Sequence, residues 1–374
     1  MTLSTHSGRL ERWLGRENCE AISLAMKDWY GPPIAVDGVP GHVMLHAGGN
    51  FTGEIRDGWE MSYLDRGEDL LKRLKRASRV ASARSRNRLN AGFASLSDLI
   101  SEATAGGKRQ EVFYSKTGPL SAVGASSTLW LGAGQPVAGA IGSAAPGGRV
   151  LTSATTGALQ FHNAVTGGDT QHIVSTQCLA SITAMQLLLY DRLFDVAKTM
   201  NSTATEAVTG VPTRYTNTVA GSADYIGGNF LTMEIHTALP ATAHNWTVCT
   251  YTDHTGAAQT LPSVAGVSGG IASRLDLPQT TFFAPLASGS QGIKALTQMQ
   301  CSALVATGTV NFVIGHPLAW QPCPVANFIC VVDGINTAFN LVRVFDNACL
   351  SHLDVTKSAG SQTNYTGSIT MVAG

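Results

Sequence analysis

Charge is what this sequence has least of. Asp, Glu, Lys and Arg make up 13% of its 374 residues, against a usual share of roughly a quarter. Hydrophobic content is ordinary at 44%, so Gly, Ala, Ser and Thr stand where charge is missing. That composition suits short strands, turns and close backbone contacts. It also suits a surface covered by neighbours, because a free monomer ordinarily carries more charge. Net charge is zero, which excludes a global attraction to nucleic acid or membrane. The seven cysteines (Cys19, Cys178, Cys249, Cys301, Cys323, Cys330 and Cys349) are few and odd in number, and no C-x-x-C occurs. The spacing argues against a disulfide framework or a zinc site and reads as buried free thiols in a reducing cytoplasm. No apolar run reaches the length of a membrane span. The stretch from Cys178 to Tyr190 is short and runs into Asp191 and Arg192. Near the start, Glu11, Glu17 and Glu20 interrupt any basic-then-apolar leader, so assembly in a cytoplasm is expected.

The scarce charge is unevenly spread. Residues 1–116 hold seventeen Lys/Arg and fourteen Asp/Glu, whereas residues 117–374 hold eight and eleven. This shift places a boundary near 117. Helical spacing predicts helices over 9–30 (Leu10, Trp13, Leu14, Ile22, Ala25, Met26, Trp29) and from about Gly67 to Ala103. The first region, 1–116, is therefore expected to be helical or mixed. Residues 117–228 read as a Gly-rich extended β region with brief strands, plus a helix over 179–200 on the spacing of Ile182, Met185, Leu188, Leu189, Leu193, Val196 and Ala197. After Gly227-Gly228 the period changes to two. Leu231, Met233 and Ile235 alternate with Thr232, Glu234 and His236, as in a half-buried antiparallel strand. About eight such runs predict that 229–374 is an antiparallel β-sandwich, jelly-roll-like. The expected class is mainly β with helices.

Chemistry is sparse. Neither a nucleophile elbow, a phosphate-binding P-loop nor an H-E-x-x-H pair is present. His42 and His46 share a face at i, i+4, with Glu54 or Asp57 as a conceivable third ligand, but two hydrogen-bonded or solvent-facing histidines are the simpler reading. His236, His244 and His254 cluster in sequence without matching a metal-ligand spacing. Paired carboxylates for sugar hydrolysis would have to come from Asp224, Glu234, Asp253, Asp276, Asp333, Asp346 and Asp354, with Trp246, Tyr251 and Trp320 as stacking surfaces; core or interface aromatics are the commoner role. No catalytic residue, metal or cofactor is expected.

One charge feature stands out. Lys72, Arg73, Lys75, Arg76, Arg79, Arg84, Arg86 and Arg88 follow one another with no acid between them. Lys72, Lys75, Arg76 and Arg79 share a helical face. Such a run either meets a polyanion or acidic protein surface, or is a solvated face balanced by Asp65, Glu68 and Asp69.

Two stretches carry a resemblance. Leu189-Tyr190-Asp191-Arg192-Leu193-Phe194-Asp195 through Asn201, leading to Thr209-Gly210-Val211-Pro212-Thr213-Arg214-Tyr215, is one. Phe282-Phe283-Ala284-Pro285-Leu286 through Lys294, followed by Gly308-Thr309-Val310-Asn311-Phe312 through Leu318, is the other. Both resemble structural proteins of tailed-bacteriophage particles, and the latter is similar to paired strands of jelly-roll virion components. The likeness covers about half the chain and implies a non-enzymatic virion protein assembled in the bacterial host cytoplasm. A capsid cement or decoration protein is the first expectation: a homotrimer whose Gly-rich arms run over neighbouring virion proteins such as the major capsid protein, with weak contact to packaged DNA and none to membrane. A major capsid, neck or tail protein is a further reading. A receptor-binding or polysaccharide-degrading tail protein is a third.

Overall fold

A computed structural model describes residues 93, 95–104, 108–120, 123–164, 168–182, 185–279, 281–335, 341–356 and 362–374. The expected helix at 9–30, most of that at 67–103 and the basic run lie outside these residues. Within them one helix stands, α1 (Leu96–Thr104). Ser95 caps it by accepting the Asp98 N–H at 3.0 Å. Everything else that is regular is β.

The paired ladders are antiparallel and form three sheets. In the first, β1 (Arg109–Thr117), β5 (Gln171–Ala180) and β17 (Asn364–Ala373) are central, in the order β5-β17-β1. β3 (Gly134–Gln135) extends one edge, while β14 (Cys330–Asp333) and β15 (Val342–Val344) pair with β5 at the other. The second runs β2 (Ser127–Thr128), β16 (Leu350–Thr356), β6 (Met185–Thr199), β13 (Thr309–Cys323), β8 (Phe230–Thr237), with β4 (Arg149–Val150) on β6. The third runs β10 (Ala258–Thr260), β9 (Asn245–Asp253), β12 (Ile293–Cys301), β7 (Glu206–Ala207), with β11 (Val264–Ala265) on β9. Inward residues of all three meet in one apolar core, among them Tyr114, Ile369, Leu188, Phe312, Trp246 and Leu296. The chain is therefore a mainly β protein with an antiparallel β-sandwich, as the alternating pattern led us to expect.

Two expectations need correction. Residues 179–200 are not a helix: they are the end of β5 and the whole of β6. Residues 187–198 are all buried, because the middle strand of the second sheet is covered on both faces. A strand buried on both sides loses the period of two and reads as a continuous apolar run. Nor does the sandwich begin at 229. β1 pairs with β17, and β6 pairs with β13 along almost its whole length. Residues 158–162 and the described part of 279–284 are irregular.

The Gly-rich stretch after β1 does not extend away as an arm. It lies against the second sheet, with Trp130, Leu151, Ala158 and Cys349 forming a second small core. Trp130 donates its indole N–H to the Ala140 carbonyl at 2.9 Å and accepts the Gly139 N–H on its own carbonyl. A β-carbon on Gly139 would stand 2.1 Å from the Trp130 ring, and one on Gly142 would stand 2.7 Å from the Asp195 carboxylate. Glycine lets this backbone lie directly on buried polar groups.

Candidate interaction surface and buried charge network

Alternation in β1 sends Val112, Tyr114 and Lys116 inward and Phe113 and Ser115 outward. Register then carries the outward row across the first sheet: Phe113 opposes Ser368, Ser368 opposes Gln177, and Gln177 opposes Val331. The next row holds Ser115, Thr366 and Leu179. None of these residues is charged, but the row on the other side of Phe113, made of Glu111, Thr370, Ser175 and Asp333, carries two acids, and Glu111 accepts the Ser368 hydroxyl at 2.9 Å. Phe113 is 68% exposed and Val331 59% exposed. The chain entering β14 adds Val325, Phe328 and Ile329, each more than half exposed. β14 ends its sheet, and no other strand among the described residues pairs with its far side. Uncharged rows bordered by exposed apolar residues and an open strand edge form a surface suited to contact with another protein.

Much of the scarce charge after position 116 is found inside. Eight of the nineteen charged residues after position 116 are buried. Four of them lie on β6. Arg192 donates to both carboxylate oxygens of Glu234 on β8 at 2.7 and 2.8 Å. It also meets the Tyr190 hydroxyl and Asp195, and its guanidinium lies 4.6 Å from the centre of the Trp130 ring. Asp195 receives two hydrogen bonds from Arg149 at 3.0 and 2.8 Å. Asp191 receives two from Arg214 at 2.8 and 2.7 Å, and the Cys349 N–H as well. Lys198 pairs with Glu206. Four acids and four bases thus cancel along one strand. Burial opposes the Arg192 charge, but Glu234, Tyr190 and Asp195 outweigh it and hold its pKa well above the ordinary arginine value.

Among the described residues, those considered for chemistry do not come together as a reactive site. His244 bonds Asp276 at 3.0 Å, and Asp276 also accepts from the Trp246 indole and the Val267 N–H. His254 accepts the Gln291 N–H, and His236 sits apart beside Glu234 on β8. Among the described residues no three metal-ligating side chains converge. Asp253 organises its own turn through Thr255, Ala257 and Gln259, which pull its carboxyl down to about 2. Glu234 is engaged by Arg192. Trp246 and Tyr251 are buried core rings, whereas Trp320 is partly exposed. His42, His46, Glu54, Asp57 and the basic residues Lys72 through Arg88 lie outside the described residues. Sequence reasoning passed over the network on β6, although an Asp-Arg-x-x-Asp run inside an apolar stretch was a signal that those charges were paired.

No helix among the described residues is long and apolar enough to cross a membrane. No protein-family model matches the chain, and no curated protein matches it. Among solved structures it is similar to VP2 of the infectious bursal disease virus subviral particle, at 11% identity over 78% of this chain and 86% of that one, with a TM-score of 0.15. A structure of the Gt strain of the same virus matches at 9% identity over 78% and 86%, with a TM-score of 0.15. The D431N mutant VP2 protein matches at 9% over 78% and 83%, with a TM-score of 0.14. At these scores the likeness carries no argument for function.

Proposed function

We propose that this chain is a structural component of a virus particle and, more narrowly, a cement or decoration protein on the shell of a tailed phage. It works as a homotrimer that grips neighbouring virion proteins such as the major capsid protein, without catalysis and without a cofactor. The observation that carries this reading is the two uncharged rows on the outer face of the first sheet, from Phe113 to Val331 and from Ser115 to Leu179, beside the open edge of β14. Uncharged rows meet a copy of themselves, or another neutral shell surface, without like-charge repulsion. Exposed backbone groups at the strand edge supply further hydrogen bonds. Modest contacts suffice when many symmetric copies act together. The basic residues from Lys72 to Arg88 supply an electrostatic contact with an acidic neighbour or packaged DNA.

Two measurements test the reading. Light scattering on the purified chain at micromolar concentration should give a trimer, and a stable monomer overturns the cement role. Image reconstruction of the particle should place the protein at seams of the shell; density confined to the tail would replace this proposal with a tail-protein one.

A further inference from the structure

Three of the cysteines meet beside the open edge of the first sheet. Cys178 on β5 directly opposes Cys330 on β14. Opposed residues in an antiparallel ladder share a face and have Cα atoms about 4.5–5.5 Å apart, within the range of about 4.4–6.8 Å that a disulfide spans. Cys323, at the end of β13 in the second sheet, comes near enough for the two thiols to perturb each other's titration, and its thiol donates to the Gln321 carbonyl at 3.8 Å. Gly367, opposite Cys178 on its other side, leaves room for the Tyr114 hydroxyl, which donates to the Gln177 carbonyl or the Gln321 side chain. All three thiols are reduced; Cys178 and Cys323 are buried, and Cys330 is partly exposed.

We infer that Cys330 and Cys178 form a thiol–disulfide exchange site: Cys330 is thiolated by a low-molecular-weight disulfide, and Cys178 resolves the adduct into a bond that fastens β14 to β5. The Cys330 thiolate attacks one sulfur of the small disulfide RSSR, forming Cys330–S–S–R and releasing RS⁻. Cys178, as thiolate, then attacks the Cys330 sulfur, and a second RS⁻ leaves. The two protons lost from the cysteines are taken up by the two RS⁻ groups. Overall, two protein thiols lose two electrons and one RSSR becomes two RSH.

The three positions suit three different roles. Cys330 is the entry point because it is the exposed member. Cys178 is the resolving thiol because it directly opposes Cys330 on the ladder and the neighbouring Cys323 and Tyr114 side chains lower its pKa against burial, and the thiolate is the attacking species. Cys323 is a positioning residue: its own pKa is pushed up, first by the neighbouring Cys178 and then by burial, so it stays protonated beside the attacking sulfur, its S–H on the Gln321 carbonyl. Reduced thiols fit assembly inside a cell, and the bond closes on arrival in an oxidising exterior.

The test treats the full chain with oxidised glutathione under native conditions, blocks remaining thiols and maps peptides without reduction. The expected product links the peptides carrying Cys178 and Cys330. Cys178→Ser should accumulate a glutathione adduct at Cys330 and lose the link, and Cys330→Ser should lose both. Cys323→Ala should still form the link, with the pH dependence of its rate moved upward. A Cys178–Cys323 link, no link, or modification only after denaturation overturns the assignment. If Cys178→Ser does not fold, the mapped link in the unsubstituted chain and the pH profile of Cys323→Ala decide the matter alone.

Discussion

Arg192 and Glu234 lie on strands that are not neighbours, with β13 between them, yet their side chains meet through two hydrogen bonds of 2.7 and 2.8 Å while both are sealed from solvent. On the intervening strand, Gly315 stands opposite Arg192 on β6 and opposite Phe230 on β8, where it leaves room for two rings. A β-carbon there would press on Tyr190 at 2.6 Å and Phe230 at 2.7 Å. Removing one partner leaves an uncompensated charge in the core. Glu234→Gln should therefore destabilise the fold by about 3–5 kcal/mol, read from denaturant unfolding. Replacing both residues with apolar side chains of similar volume should cost much less. Equal losses for the single and double variants would show that the pair is not what matters.

The cover over the second sheet depends on glycine at places where nothing larger fits. Gly139→Ala forces a β-carbon into the Trp130 ring and should cost about 1–3 kcal/mol by overpacking, with a shift in the Trp130 fluorescence. Gly147→Ala meets no atom within 4 Å and should change stability little. Similar behaviour of the two variants in thermal melts would mean the stretch does not rest on the sheet as described.

Mild acid should weaken the fold. Burial lowers His172 and His316 to about 4 and, with help from Lys116, His352 to about 3. An unfolded histidine titrates near 6.5. Between about pH 6.5 and 4 the unfolded chain therefore binds protons that the native chain refuses, so stability falls as pH falls through that window. Each such histidine contributes a slope of up to about 1.4 kcal/mol per pH unit. His244 acts in the opposite direction: burial lowers it, but Asp276 outweighs that and raises its pKa. Its stabilisation is complete below 6.5 and is lost as pH rises through the folded value. Urea titrations from pH 7 to 4.5 should show the steep acid loss, and His352→Gln should flatten it.

Association should be separable from folding. Phe113→Asp and Val331→Lys place charge on outward positions of the first sheet. Each should disrupt oligomers in light scattering while leaving the melting temperature within a few degrees, because exposed substitutions usually change stability by about 0.5 kcal/mol or less. Unaltered oligomers in both variants would remove this face from the contact.

The alternating strands were the legible part of the fold. β1 and β9 carry the period of two that half-burial imposes, and β12 carries it in part, whereas β8 alternates in sequence although Phe230 through Ile235 are all buried, its polar members Thr232 and Glu234 included. β6 was illegible. With both faces covered it carries no alternation, and its apolar spacing coincided with that of a helix. β16 was missed because Leu350-Ser351-His352-Leu353-Asp354 mixes polar residues into a stretch that is buried from Leu350 to Val355. No local pattern encodes contacts at separations of 23, 42 or 152 residues, so the pairing of Asp191 with Arg214, of Arg192 with Glu234 and of Cys178 with Cys330 emerged only from the structure. The low charge content was read correctly as unusual, but its inward concentration was not foreseen.

The central position of β17 has a consequence for how the protein is made. β1 and β5 leave the ribosome early but have no ladder to each other; each pairs with β17, which arrives almost two hundred residues after β5. Until then, two unfinished sheet fragments expose bare edges to other nascent chains. Yield during expression should therefore depend on chaperone capacity and temperature more steeply than the stability of the finished molecule would suggest.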